Sequence, residues 1–223
     1  LASRGQSPSE QDNYNAFHTA KRFEVDSTRT KEVLERQIKN PKKLSSEDKS
    51  TLTDFNALLY IRMQEALGLD YVYDGEARRK EMYQHVATRI DGFEKTSEMI
   101  RSRGPDSWRM GICVGEPRLK ENSLDDLILR EFDFVKNNAV KPIKVPIDDP
   151  YMIAVMSDNK YYLEALKSKY GNNPSKLRYE AKREFTLALA RNVIRPQVDA
   201  IVEKGAEWIQ LDIPAATLDV GHM

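Results

Sequence analysis

Four short apolar segments, well separated along the chain, constrain the fold more than any other feature of the sequence. They read LDYVY, RMGICV, IKVPI and WIQLD, and each has the length and apolar content of a buried strand. Segments with helical spacing fill the intervals between them. Because strands joined by helical crossovers run parallel, the sequence predicts an α/β fold built on a parallel sheet. The predicted strands are Leu69–Tyr73, Arg109–Val114, Ile143–Ile147 and Trp208–Asp212.

Apolar residues at three- and four-residue steps predict the helices. One of them opens with the Ser-Ser-Glu-Asp stretch that begins at Ser45. The longest contains Pro196, which predicts a kink or a break. The polar segment 1–45 has no apolar signal core and is interpreted as a poorly ordered lead-in to one domain over 46–223. The predicted helices are Ser46–Leu67, a helix after Gly75 that carries Met82, Val86 and Ile90, then Leu124–Val135, Asp158–Tyr170 and Lys176–Lys204.

The charge balance and the cysteine count exclude several classes of protein. The chain has 223 residues, with 35 Lys and Arg against 35 Asp and Glu, so its formal net charge is zero. A neutral chain lacks the basic surface that binds nucleic acid or an anionic membrane. A single cysteine forms no internal disulfide and is typical of the cytoplasm. No segment approaches the roughly 20 apolar residues that a membrane span needs.

Acidic residues follow every predicted strand. Asp74 and Glu76 flank Gly75 after the first strand, Glu116 follows the second and Asp212 ends the fourth. Reactive groups of parallel α/β folds collect beyond the carboxyl ends of the strands. Several carboxylates at one rim could bind an ammonium group, hold a metal ion or exchange protons.

Each of these residues also has a structural interpretation. An acid just before a helix commonly caps it, so Asp74 and Asp148 are expected to be capping residues. Arg109, at the start of a strand, fits a surface ion pair, and Cys113 fits a packed thiol. Asp212 is the exception, because Ile-Pro follows it rather than a helix start.

Three segments resemble a known family. They read DGEARRKEMYQHVATRIDGFE, then RMGICVGEPRLKENS with KPIKVPIDDPYMIAVMS, then GAEWIQLDIPA. Their residues, order and spacing resemble the catalytic barrel of the cobalamin-independent methionine synthase family, including its short archaeal and bacterial relatives. The resemblance runs from about Leu67 to Ala215.

The resemblance implies a (β/α)8 barrel of the TIM type, of which these residues form about the first half. In this family zinc activates the thiol of homocysteine, which takes a methyl group from a methyl-folate or a methyl-corrinoid donor. The resemblance assigns substrate binding to Glu76 and Asp212, which would hold the ammonium of homocysteine or methionine. It places Arg109 at the position that contacts the methyl donor in the folate-using members. It also assigns substrate binding to Glu116, the acid that follows Gly115.

The sequence also departs from the family pattern. The zinc ligands of the family would lie beyond Met223, so none is expected among these residues. Met156 stands where the folate-using members have a tryptophan, and Ile213 stands where the family has an acid. Two alternatives therefore remain. One is an alkyl- or methyltransferase that acts on another thiol, such as coenzyme M. The other is a non-catalytic half-barrel subunit that needs a partner.

Overall fold

The computed structural model describes residues 10–39, 44–79, 82–101 and 107–213. It divides the chain into two compact units. The first unit comprises regions 1–80 and 131–144, and the second comprises regions 81–130 and 145–223. The class of the fold is mixed α/β, as predicted.

Helices and strands alternate along much of the described chain. The helices are α1 Glu10–Arg22, α2 Thr28–Lys39, α3 Ser46–Ala66, α4 Met82–Ala87, α5 Arg130–Asn138, α6 Pro150–Val155, α7 Lys160–Tyr170, α8 Pro174–Leu189 and α9 Arg195–Glu203. The strands are β1 Ile90–Arg101, β2 Ser107–Leu119, β3 Lys144–Asp148, β4 Ser157–Asp158 and β5 Trp208–Asp212. Within the described residues, no helix is long and apolar enough to cross a bilayer.

The first unit is organised around α3, which confirms the helix predicted over Ser46–Leu67. A capping box fixes its start: Ser45 Oγ accepts the Asp48 backbone N–H at 3.0 Å, and the Asp48 carboxylate accepts the Ser45 N–H at 3.2 Å. Such caps stabilise a helix by about 1 kcal/mol. Phe55 and Leu59 of α3 are buried in the core of this unit.

The segment interpreted as a poorly ordered lead-in is helical where the structure describes it. Ala20 of α1 and Val25 pack with Phe55 and Leu59 in one apolar cluster, and the rings of Phe17 and Phe55 lie 6.3 Å apart. The expectation of disorder is therefore wrong for residues 10–39. Small residues such as alanine form part of the buried face of α1. The alternation of apolar and polar residues that would reveal this helix in the sequence is therefore weak. The division at residue 45 stays a prediction.

The first predicted strand, Leu69–Tyr73, is reduced to a single parallel bridge between Val72 and Ile143. The Val72 N–H donates to the Pro142 carbonyl at 3.0 Å, and the Lys144 N–H donates to the Val72 carbonyl at 3.3 Å. The segment still runs parallel to the start of the third predicted strand. Tyr73 and Asp74 on its carboxyl side are buried.

The second unit corrects the expectation of a purely parallel sheet. The predicted helix after Gly75 ends at Ala87, and Ile90 begins β1, which pairs antiparallel with β2. Gly92 makes this pairing possible. Its φ is +84°, and a Cβ atom there would lie 2.7 Å from the carbonyl oxygen of Glu116. The register shifts between Asp91 and Phe93, so this glycine sits at a bulge, where such residues are favoured.

The other predicted strands and helices agree with the structure in position. The second predicted strand lies inside β2, which pairs parallel with β4, and the last two predicted strands are β3 and β5, which pair with each other. The predicted helix over Leu124–Val135 consists of a π-helical turn at Asp125–Leu129 followed by α5. Pro196 lies in the first turn of α9, directly after a second π-helical turn at Ala190–Ile194. Because proline has no N–H to donate, the predicted break takes the form of this wider turn.

Candidate functional site

The turn that follows Val72 and Tyr73 is constrained in its backbone and in its packing. Gly75 and Glu76 both have left-handed backbones, with φ of +68° and +58°. A Cβ atom on Gly75 would lie 2.9 Å from the ring of Tyr60, so this position needs glycine for two reasons. Glu76 adopts the same conformation although it has a Cβ atom. The steric conflict of that atom with the backbone costs roughly 1–2 kcal/mol relative to a right-handed backbone. Strain of this kind clusters at binding and catalytic sites.

Asp74 holds the turn together. It is fully buried, and its Oδ1 atom accepts the backbone N–H of Glu76 at 2.8 Å. Burial, followed by the charge of Glu131, raises the pKa of Asp74 to about 7, against the lowering effects of the Glu76 N–H, Arg78 and Arg79. This carboxyl group therefore titrates near neutral pH.

Both capping expectations need correction. Asp74 does not cap a helix, because residues 75–78 form a turn and α4 begins at Met82. Asp149, and not Asp148, is the N-cap of α6, where its carboxylate accepts the Tyr151 N–H at 2.7 Å. An acidic side chain that accepts the backbone N–H two residues further along can hold a turn or cap a helix. The sequence pattern alone does not separate these two roles.

Arg79 joins Glu76 to Glu131. Its Nη2 and Nε atoms donate to the two carboxylate oxygens of Glu131 at 2.7 and 3.2 Å. Its Nη1 atom donates to Glu76 Oε1 at 2.9 Å. The side chains of Arg79 and Glu131 are only 5% and 4% exposed, whereas that of Glu76 is 24% exposed. The three residues therefore form a chain of bonds from the core of the unit to a partly exposed carboxylate.

Arg78 forms the second cationic contact of the turn. It pairs with Asp54 of α3, its Nη1 atom lies 3.4 Å from Asp74 Oδ2, and its guanidinium carbon lies 4.0 Å from the centre of the Phe134 ring. The carboxylates of Asp74, Glu76 and Glu131 thus meet the two guanidinium groups of Arg78 and Arg79. When Asp74 is ionised, this group carries one negative charge in excess, and Asp54 adds another.

Asp212 belongs to the second unit, at the end of β5. Its Oδ1 atom accepts a hydrogen bond from the Gln210 side-chain amide at 2.5 Å, and its backbone carbonyl accepts the Asp149 N–H at 3.4 Å. The side chain is partly exposed. The Gln210 amide holds the carboxylate beside its own strand, and part of the residue is accessible.

Glu116 and Arg109 both lie on β2, also in the second unit. Glu116 is exposed, and it accepts hydrogen bonds from Arg118 at 2.8 Å and from the Asn192 amide at 3.3 Å. The hydrogen bond and the charge of Arg118 hold the pKa of Glu116 below its usual range. Arg109 pairs with Met99 of β1 in the sheet register, and its side chain lies outside the described part of the structure.

The predicted site residues are therefore distributed over both units. Glu76 lies in the first, whereas Arg109, Glu116 and Asp212 lie in the second. The pairing of Glu76 with Asp212 remains a prediction.

Sequence reasoning missed Arg79 and Glu131. A signal for Glu131 was present: it falls on the apolar stripe formed by Leu127, Ile128, Phe132 and Val135. A charged residue on such a stripe is almost always buried with a partner.

The described residues do not fit the zinc ion that the resemblance implies. Among them, no group of three or more His, Cys, Asp or Glu side chains is placed to hold a metal ion. Cys113 is buried in β2, where desolvation raises the pKa of its thiol to about 12, so it is a poor source of a thiolate ligand. Cys113 is therefore a packed thiol, as the sequence indicated.

Comparison with known proteins gives a consistent result. Residues 27–137 match the family model described as the cobalamin-independent synthase catalytic domain. The methionine synthases of Pyrococcus abyssi and Pyrococcus horikoshii are 32% and 31% identical to this chain over 174 residues, which is 78% of the chain and 45% of each relative. The chain thus spans a little under half the length of these curated relatives.

A solved structure shares the fold. It is that of a B12-independent methionine synthase from Shewanella sp. W3-18-1 in complex with selenomethionine. It matches with a TM-score of 0.55 and 19% identity, over 78% of this chain and 45% of that one. The family model and the archaeal relatives agree with the three sequence segments, and the chain belongs to the cobalamin-independent methionine synthase family.

Proposed function

We propose that this chain binds the amino-acid substrate of a methyltransferase that converts homocysteine to methionine. In this proposal Glu76 and Asp212 hold the ammonium group of the substrate. The observation that carries it is the placement of Glu76. Its strained backbone is fixed by Asp74, its carboxylate is oriented by Arg79, and part of its side chain is exposed to receive a ligand.

The charges around Glu76 support an ammonium ligand. Even with Asp74 protonated, the three other carboxylates of this group, which are those of Glu76, Glu131 and Asp54, exceed its two guanidinium groups by one negative charge. A bound cation would balance that charge, and charge-assisted hydrogen bonds from ammonium to carboxylate are among the stronger polar interactions in proteins. The related Shewanella enzyme was solved with selenomethionine, an amino acid that carries such an ammonium group.

The reaction itself forms a bond from the sulfur of homocysteine to the methyl carbon while the bond from that carbon to the donor breaks. The electron pair of the broken bond stays with the donor, and the thiol loses its proton. The donor is a methyl-folate or a methyl-corrinoid, and Arg109 is the residue of this chain that we assign to its side of the site. The described residues do not form a zinc site, so we assign them to binding and orienting the amino acid rather than to activating its thiol. The strand segments belong, in this proposal, to a parallel (β/α)8 barrel. The parallel pairs Val72–Ile143 and Gly111–Ser157 support it.

A comparison of two ligands tests the proposal. L-Methionine and 4-(methylthio)butanoic acid share the thioether and the carboxylate, and they differ only in the amino group. Isothermal titration of the protein with each should show at least about tenfold tighter binding of methionine, because the Glu76 carboxylate would pair only with the ammonium. Equal affinity for the two ligands, or no binding of methionine, would show that no ammonium site is present.

A further inference from the structure

We propose that Arg79 and Glu131 are positioning residues that orient the Glu76 carboxylate toward the ammonium group of the substrate. This inference rests on the proposed function of Glu76 and extends it to two residues that touch no ligand themselves. Neither residue was singled out by the sequence, and Glu131 lies 52 residues from Arg79 along the chain.

The geometry of the guanidinium group supports this role. A guanidinium is planar and rigid, and its N–H groups point in fixed directions. Glu131 engages Nε and Nη2 of Arg79 with both carboxylate oxygens, which fixes the plane of the group. The Nη1 atom then has a set direction, and it donates to Glu76 Oε1. The orientation of the Glu131 carboxylate therefore determines, through Arg79, the orientation of the Glu76 carboxylate.

Burial distinguishes this arrangement from a simple core ion pair. Burying an Arg–Glu pair adds little net stability, because desolvation offsets the attraction. A closed pair would also need no third residue. Here exposure rises from the nearly buried Glu131 and Arg79 to the partly exposed Glu76, so the bonds lead outward to a carboxylate that a ligand can reach.

The charges give Glu131 a second effect. Arg79 alone beside Glu76 would neutralise that carboxylate and weaken its attraction for a cation. Glu131 supplies a second negative charge to the same guanidinium, so the three side chains together keep one net negative charge. Replacing Glu131 by glutamine should therefore weaken the binding of an ammonium group and leave the binding of an uncharged group in the same place unaffected.

The test is a double-mutant cycle read with the same two ligands. We expect Glu131→Gln to weaken L-methionine binding by about tenfold, with affinity for 4-(methylthio)butanoic acid changed by less than about twofold. In the Glu76→Gln background, Glu131→Gln should have less than about a twofold further effect, because Glu131 acts through Glu76.

A matched control separates this role from general damage. Glu65 is also a mostly buried glutamate of the first unit, paired with Arg62 and bonded to the Val140 N–H. Glu65→Gln should change methionine affinity by less than about twofold. If Glu131→Gln does not fold, Arg79→Lys replaces it: lysine keeps the charge but lacks the fork that joins both glutamates, and the same selective loss is expected.

The outcomes are distinguishable. If the wild-type protein prefers methionine and Glu76→Gln abolishes the preference, while Glu131→Gln and Arg79→Lys bind both ligands as the wild type does, the positioning role is wrong and the proposed function stands. Equal losses for both ligands, or losses in Glu76→Gln and Glu131→Gln that multiply, would also overturn the positioning role. If the wild type shows no preference for methionine, both proposals fail.

Discussion

The Oδ1 atom of Asp74 accepts the backbone N–H of Glu76 at 2.8 Å, so one carboxylate fixes the backbone that presents the next. The two acids on either side of Gly75 therefore have different tasks. Asp74 is buried and maintains the turn, whereas Glu76 is partly exposed and is the one that can reach a ligand. This division of roles makes the turn sensitive to pH and to the residue at position 75.

The stability of the protein should depend on the protonation of Asp74. Burial and the charge of Glu131 raise the pKa of Asp74 to about 7, from 3.8 for an unperturbed side chain. Between these values the folded state binds more protons than the unfolded state, so the stability contributed by Asp74 is complete below about pH 4 and is lost as the pH rises toward 7. Chemical denaturation from pH 4 to 8 measures this dependence.

The Asp74→Asn variant provides the comparison for this experiment. Asparagine can still accept the Glu76 N–H through its side-chain carbonyl, but it does not titrate. We expect the free energy of unfolding of the wild type, measured relative to that of the variant, to fall between about pH 4 and 7. Parallel pH profiles for the two proteins would show that Asp74 does not have a raised pKa.

Replacing Gly75 should destabilise the first unit through two effects. Gly75→Ala places a Cβ atom 2.9 Å from the Tyr60 ring and forces alanine into a left-handed backbone. Gly68→Ala is the matched control, because Gly68 has φ of +78° but nothing within 4 Å of the added carbon. Urea denaturation should give a loss of about 1 kcal/mol for Gly68→Ala and about 2–3 kcal/mol for Gly75→Ala. Equal losses would mean that the Tyr60 ring moves aside without cost.

Cys113 should be chemically inert while the second unit is folded. It is fully buried, its Sγ atom lies 3.2 Å from the Gly115 carbonyl oxygen, and burial raises the pKa of the thiol to about 12. Because the thiolate is the reactive form, iodoacetamide at pH 8 should label the native protein far more slowly than the urea-unfolded one. Since the chain has a single cysteine, mass spectrometry gives an unambiguous result. Rapid labelling of the native protein would contradict the packing of β2.

The sequence predicted the elements whose patterns are local. The capping signal at Ser45 identified α3, and short apolar segments bounded by polar residues identified β3 and β5. The antiparallel strand β1 was missed because its pairing with β2 decides its structure, and that partner is not visible in the residues of β1 alone. A strand that depends on a distant partner is poorly predicted by local periodicity.

The candidate site shows the same limit: residues whose role depends on distant contacts were not predicted. The position of Glu76 after a predicted strand made it one of several candidate acids, and the family resemblance selected it among them. The structure adds its left-handed backbone. Glu131 and Arg79 escaped notice because their role depends on a contact across 52 residues. The roles of Glu76, Asp212, Arg109 and Glu116 as substrate-binding residues remain predictions.

The most direct test of the account is the affinity of the protein for L-methionine, measured by isothermal titration, in the wild type, Glu76→Gln and Asp212→Asn. Both substitutions keep the size of the side chain and remove its charge. Because the ammonium would lose a charged partner in either variant, we expect each to weaken binding by more than about 1 kcal/mol, or roughly fivefold or more. Wild-type affinity in both variants would contradict the claim that these two carboxylates hold the amino acid.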